Sequence, residues 1–218
     1  MPIATPAQRA RAWVNMHVVD HGFVRALYNN FYPLGGDVYR CSQPSPRQIR
    51  HYQATLGIRS IINLRGVNPY GSYPLEQDTC EALGITLIDS VLYSRQAPKV
   101  DEVLRLKQAF DSMAYPALLH CKSGADRAGI ASALFRILRL GHSAQDASAE
   151  LHWKYGHFKQ AKTGILDFFL ATYIKRNAAS PIAFVDWLTS EYDWDLVQNS
   201  FHAEGWASAL VDHVLHRE

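Results

Sequence analysis

The sequence predicts an α/β protein with a largely parallel central sheet flanked by helices and with extra helices at its N- and C-terminal ends. Two observations carry that prediction. Helix-like and strand-like segments alternate three times between residues 45 and 120, the pattern of parallel strands joined by crossover helices. The strand-like segments, residues 58–64, 85–91 and 117–120, are short and mostly apolar, as strands covered on both faces must be.

Each element has a local cause. Ser45-Pro46 reads as an N-cap followed by proline in the first turn, and the helix it opens passes Ile49 and Ala54 and stops at Gly57. A second helix over residues 73–83 stops at Gly84, and a third over residues 99–113 carries Val100, Val103, Leu104, Leu106 and Phe110 at helical spacing. After residue 120 only helices follow. One spans residues 128–140 with Ile130, Leu134 and Leu138 and stops at Gly141; Ser143, with Asp146 three residues on, opens the next. Another begins near Thr163 and carries Ile165, Leu166, Phe168, Phe169 and Tyr173. Thr5-Pro6 and Ser180-Pro181 mark further helix starts, and residues 177–180 read as a linker. The expected organisation is therefore a helical extension at 1–34, a core at 35–177 and a C-terminal helical extension at 178–218. Trp187, Trp194, Phe201 and Trp206 would dock that last segment on the core.

Composition narrows the classes. Lys+Arg 22 against Asp+Glu 20 leaves a net charge of only +2 over 218 residues, so no broad field points to nucleic acid. With 48% hydrophobic and 19% charged residues the chain is of ordinary globular type. No apolar stretch reaches the roughly 18 residues of a transmembrane segment, and no apolar core with a cleavage site follows Arg9 and Arg11, so a cytoplasmic location is expected. Cys41, Cys80 and Cys121 are odd in number and have no metal-ligand spacing, which points to thiol chemistry rather than a disulfide framework or a metal.

One segment stands apart: His120-Cys121-Lys122-Ser123-Gly124-Ala125-Asp126-Arg127, where the last predicted strand ends and a helix begins. A loop entering a helix turns several backbone N–H groups toward one point, and the helix dipole adds positive charge there, so phosphate is the natural guest. Gly124 lets the backbone bend into a cradle, and the planar fork of Arg127 can bind two phosphate oxygens. Lys122, Ser123, Gly124, Ala125, Asp126 and Arg127 are thus the expected phosphate-binding residues. The same dipole and Arg127 favour Cys121 as a thiolate, the nucleophilic form. A thiolate beneath a bound phosphate attacks phosphorus in line, and water then hydrolyses the cysteinyl-phosphate, a reaction that calls for no metal and no cofactor.

The order strand, His120, Cys121, five residues with Gly124 among them, Arg127 and helix resembles the signature of the cysteine-dependent protein tyrosine and dual-specificity phosphatase superfamily. Val38-Tyr39-Arg40-Cys41-Ser42-Gln43-Pro44 is similar to the entry strand of its small bacterial members, and residues 60–65 resemble their next core strand. The resemblance implies a dual-specificity phosphatase-like fold and hydrolysis of a phosphorylated protein, or of a phosphorylated small molecule or lipid. A phospho-binding module without catalysis on the same fold is the alternative. It also implies that His120 bonds backbone beside the cysteine. Ala128 departs from the pattern, since many members carry there a hydroxyl that assists the departing thiolate.

The leaving oxygen needs a proton donor, and three aspartates compete. Asp126 ranks first, because the loop is similar to the Cys-x-x-Gly-x-Asp-Arg loop of myotubularin lipid phosphatases. Asp89, 32 residues before Cys121, ranks second, about where the acid loop of dual-specificity phosphatases falls. Asp101 ranks third and reads equally well as a first-turn charge on its helix. Around the mouth, Arg95, His157, Lys159 and Lys162 join Lys122 as expected cations, favouring substrates with more negative charge than one phosphate. The resemblance also admits Cys80 as a disulfide partner for an oxidised Cys121.

Overall fold

In the computed structural model, which describes residue 3 and residues 5–20 and 28–201, five strands form one sheet in the order β1-β2-β5-β3-β4. These are β1 (Tyr32–Gly35), β2 (Val38–Cys41), β3 (Ser60–Asn63), β4 (Thr86–Asp89) and β5 (Ala117–His120). β2, β5, β3 and β4 run parallel, and β1 pairs antiparallel with β2. The sheet is mixed and mostly parallel, as expected.

The crossover helices begin and end where the sequence places them. α1 (Pro6–Val18) and α2 (Pro46–Leu56) both start at capping boxes: the hydroxyls of Thr5 and Ser45 accept from the N–H groups of Gln8 and Gln48, whose side chains reach back. α2 and α3 (Ser72–Leu83) both end on a left-handed glycine, Gly57 and Gly84. α4 (Val100–Ser112) completes the third crossover into β5.

Each face of the sheet has its own apolar layer. Ile61, Leu118 and Cys41 pack against Ile49, Tyr52 and Cys80 of α2 and α3. Ile62, Leu119 and Val38 pack against Phe110, Ile130, Phe135 and Phe169 from the helices on the other side. All four residues of β5 are buried. Each fully buried leucine there contributes roughly 1.5–3 kcal/mol, so the strand that carries the reactive loop is firmly held.

Four expectations are corrected. α5 (Asp126–Leu138) starts at Asp126, not residue 128, because the loop closes directly onto the first helical turn. Ser143 does cap a helix, but α6 (Ala144–Ala147) lasts one turn before 3₁₀ turns at Ser148–Glu150 and Trp153–Tyr155 take over. α7 (Ile165–Ala179) runs through Asn177 and the alanines read as linker, and Asn177 Oδ1 accepts from Ile182 N beyond its end. Ser180-Pro181 therefore opens no helix; α8 (Phe184–Ser190) starts after Ala183 and α9 (Trp194–Ser200) after Asp193. β1 was not legible at all. Its first three residues, Tyr32 to Leu34, fall in the segment read as helical extension, and it owes its hairpin to Gly35, Gly36 and Asp37, all at positive φ.

The C-terminal helices dock as their aromatics predict. Trp187 is 2% exposed and packs at tilted ring angles among Phe169, Tyr173, Phe184 and Tyr192. Trp194 and Phe201 pack at the edge of the same layer, whereas Trp206 lies outside the described residues. Among the described residues no helix is long and apolar enough to cross a membrane.

Candidate active site

Between the end of β5 and the start of α5, every carbonyl from Lys122 to Ala125 is bound from outside the loop. Lys122 O accepts from Gln43 N at 3.1 Å and Ser123 O from Asn30 Nδ2 at 3.0 Å. Arg40 Nη2 donates to Gly124 O at 2.7 Å and to Ala125 O at 3.1 Å. In a planar trans peptide the C=O and the following N–H point in opposite directions. Outward carbonyls therefore turn the N–H groups of residues 123–126 inward, and Gly124 N already donates to Cys121 Sγ at 3.2 Å. Such a ring of donors at a helix N-terminus holds an anion and steadies a thiolate.

Gly124 is required twice over. Its φ is +75°, and a Cβ there would lie 2.8 Å from backbone atoms of Cys41 and Ser42. Arg127 is half-buried and has no hydrogen-bond or ion-pair partner among the described residues, so its five donors are available to phosphate oxygens.

The frame around the loop is a buried polar network. Arg40, 0% exposed, also donates to the carboxylate and carbonyl of Glu150 at 2.8 and 2.9 Å and lies over the Tyr155 ring at 3.9 Å. Arg136 takes the second Glu150 oxygen. Asn30 Nδ2 bridges Ser123 O and Tyr155 O, tying the 153–157 turn to the loop. Beneath Cys121, His120 Nε2 lies 2.7 Å from Glu76 Oε1 and Nδ1 lies 3.3 Å from Cys121 O, in keeping with the expected backbone contact. Asp20, fully buried, accepts two bonds from Arg65, one from Ser72, and approaches Lys122 Nζ at 3.3 Å. Lys122 is thus partly neutralised rather than a free mouth cation, and it also sits over the Tyr70 ring.

The acid candidates occupy different surroundings. Asp126 Oδ1 lies 2.8 Å from His157 Nδ1, and His157 Nε2 lies 2.6 Å from Asp167 Oδ2. Burial disfavours the charged ring, but its hydrogen bonds to both aspartates and their negative charges outweigh it and lift His157 to about 9. His157 is only 2% exposed and so is not at the mouth. Basic neighbours in sequence masked a residue that two carboxylates draw inward. Asp89, exposed at the end of β4, accepts from Asn63 Nδ2 at 2.8 Å and from the Tyr73 hydroxyl at 2.7 Å. Burial and that hydrogen bond raise Tyr73 to about 12, so it stays a donor. Asp101 is a surface residue paired with Arg105 one turn on, which removes it from the site.

Arg95, Lys159 and Lys162 are exposed. Lys159 and Lys162 follow the turn that Asn30 ties to the loop, whereas Arg95 belongs to the 91–99 connection between β4 and α4. That connection is latched to the C-terminal helices: Trp194 Nε1 donates to Ala97 O, Tyr192 Oη to Pro98 O, and Ala97 N to Gln198 Oε1, at 2.8, 2.9 and 3.0 Å. Cys80 lies in the apolar layer opposite that of Cys121, so the expected disulfide has no geometric support. Burial pushes the thiols of Cys41 and Cys80 up, which keeps both protonated.

Sequence reasoning missed Arg40, Asn30, Asp20, Glu150 and Asp167. The one available signal was an arginine inside a predicted core strand, since a charge there must find partners.

No family model matches the chain. A curated relative, the dual specificity protein phosphatase TpbA of Pseudomonas aeruginosa, is 27% identical over 152 residues, covering 67% of this chain and 61% of its own length. The match thus spans about three fifths of that relative. Among solved structures, P. aeruginosa TpbA superimposes with a TM-score of 0.52 at 18% identity, covering 78% of this chain and 89% of that one. The catalytic core of the PP-IP phosphatase SIW14 from S. cerevisiae gives 0.53 at 20% identity, covering 69% and 91%. The chain is thus similar in sequence to a dual specificity protein phosphatase and shares the fold of TpbA and the SIW14 catalytic core.

Proposed function

We propose that the chain is a phosphomonoester hydrolase that works through a cysteinyl-phosphate on Cys121. The observation that carries this reading is the set of outward carbonyls from Lys122 to Ala125, which aims consecutive N–H groups at the space above a buried thiol. Arg127, without a partner among the described residues, offers its planar positive fork to the same phosphate oxygens. In the first step the Cys121 sulfur bonds to phosphorus as the ester oxygen leaves, taking a proton from a carboxylic acid. In the second, water attacks phosphorus, the S–P bond breaks, and a carboxylate accepts the water's proton. Asp126 and Asp89 are the carboxylates for those transfers.

The relatives suggest two substrate classes. TpbA is named a dual specificity protein phosphatase and has been crystallised with phosphotyrosine, while SIW14 is described as a PP-IP phosphatase. We accordingly assign a phosphorylated protein, or a phosphorylated small molecule or lipid, as substrate, with Lys159 and Lys162 at the rim. A reducing compartment such as the cytoplasm suits three free, buried thiols.

The test is phosphate release, in the presence of chelator, from an aryl phosphate, phosphotyrosine peptides, phosphoinositides and inositol polyphosphates. Release by wild type that Cys121→Ser and Arg127→Lys both abolish supports the enzyme. A chain that binds phosphopeptide through Arg127 yet releases nothing from any substrate is a binding module instead.

A further inference from the structure

The cluster Asp126–His157–Asp167 is more than a surface salt bridge. Both nitrogens of one imidazole face carboxylate oxygens, at 2.8 and 2.6 Å, and only a ring protonated at both positions donates to both. Asp167, in the first turn of α7, fixes the far nitrogen and so sets the ring plane. Nδ1–H then donates to Asp126 Oδ1, leaving Asp126 Oδ2 with no hydrogen-bond partner among the described residues. Asp126 is also the first residue of α5, where the helix dipole stabilises negative charge. Its carboxylate is fixed by the ring at the helix N-terminus while its side chain stays 24% exposed. With Oδ1 taken up by the ring and Oδ2 open to solvent, the carboxylate is oriented to accept a proton on Oδ2.

We propose that His157, oriented by Asp167, positions Asp126 as the general base for hydrolysis of the cysteinyl-phosphate, which leaves the proton of the departing ester oxygen to Asp89. This rests on the phosphatase reading above. In the assigned step, water oxygen bonds to phosphorus, the S–P electron pair returns to Cys121 as thiolate, and the water proton passes to Asp126 Oδ2. Asp126 then returns that proton to solvent. His157 keeps its own proton on Nδ1 throughout and acts only as a positioning residue.

Leaving-group dependence separates a base from an acid. p-Nitrophenol departs without needing a proton, whereas phenol needs one, so loss of the acid is forgiven on the first ester and loss of the base is forgiven on neither. The experiment is stopped-flow hydrolysis of p-nitrophenyl phosphate by wild type, Asp126→Asn, His157→Phe and His157→Asn. It is paired with neutral denaturing quench of enzyme labelled from a 32P-phosphorylated substrate, and unfolding curves check that each variant is folded.

Asp126→Asn is expected to release one equivalent of p-nitrophenol in a burst and then turn over about 100-fold more slowly than wild type, with label trapped on Cys121. His157→Phe is expected to show the same burst with a loss of about tenfold, and His157→Asn, whose amide still reaches Asp126, a smaller loss. His157→Phe added to Asp126→Asn is expected to cost little more, because the two act as a unit. The inference is overturned if Asp126→Asn turns over p-nitrophenyl phosphate without a burst and loses rate only on phenyl phosphate, which would make Asp126 the acid. It is equally overturned if His157→Phe lowers stability while the trapped fraction stays at the wild-type level. Should His157→Phe not fold, Asp126→Asn alone decides the step. A wild type that releases no phosphate from any ester defeats the phosphatase reading itself, an outcome distinct from both.

Discussion

Arg40 Nη2 donates to the carbonyl of Gly124 across 2.7 Å, so a guanidinium in the core of the sheet holds the midpoint of the phosphate loop. The same side chain holds Ala125 and Glu150, which makes one residue responsible for both the shape of the loop and its attachment to the helices behind it. Replacing Arg40 with methionine leaves Glu150 Oε2 and the Gly124 carbonyl without their buried donor, while Arg136 keeps only the other Glu150 oxygen. The expected loss is about 3–5 kcal/mol in urea unfolding, with activity abolished even where the chain remains folded. Arg40→Lys should recover part of the stability and little of the activity, because one ammonium cannot span the acceptors of a planar fork.

Gly124 is expected to separate activity from stability. Alanine at φ +75°, with its Cβ 2.8 Å from the backbone of Cys41, must swing the loop away from Cys121. Gly124→Ala should cut kcat/KM at least about 100-fold, the scale of losing a preorganised donor, and lower Tm only modestly. An alanine variant that keeps wild-type turnover would show that the inward N–H groups are not what binds the transition state.

Stability should fall on the alkaline side because of His157. Its folded value of about 9 lies above the ordinary 6.5, so the charged ring stabilises the fold fully below pH 6.5. That contribution is lost as pH rises through 9. The shift corresponds to at most about 3 kcal/mol. Urea unfolding between pH 6 and 10 should show this decline in wild type and a much flatter profile in His157→Asn, and NMR should report both ring N–H protons at neutral pH.

The latch between the 91–99 connection and the C-terminal helices predicts a protease phenotype. Trp194→Ala removes the donor to Ala97 O and the packing of α9 beside it. The exposed Arg95 should then become a trypsin site several-fold more sensitive than in wild type, with the cut mapped by mass spectrometry. Unchanged cleavage at Arg95 would mean that Tyr192 and Gln198 suffice to hold the segment.

What was legible in the sequence was local. Cys121, Gly124 and Arg127 lie within seven residues, and their order between an apolar strand and a helix is a contiguous pattern. The capped starts at Thr5 and Ser45 and the glycine stops at Gly57 and Gly84 are local for the same reason, and all four hold. Ser180-Pro181 failed because the favourable helical run through Ala178 and Ala179 outlasts the signal, so that the proline only ends α7. His157 failed because its neighbours Lys154, Lys159 and Lys162 describe a basic surface, while its position is set by Asp126 and Asp167, 31 and 10 residues away. The supports of the loop were invisible because each acts at long range: Asn30 from 93 residues before Ser123, Arg40 from 84 before Gly124. No periodicity encodes such pairings; only the sheet order, with β5 inserted between β2 and β3, creates them.

That distance has a thermodynamic meaning. The loop cannot take its binding shape by local ordering, since its carbonyls are held by the segment before β1, by β2 and by the turn after it. An oxyanion such as vanadate, bound in that ring, therefore selects the whole folded chain over every partly folded form. Its binding free energy should appear as a rise in global unfolding midpoint that grows with the logarithm of its concentration. Ligand affinity and fold stability are, in this protein, two readings of one equilibrium.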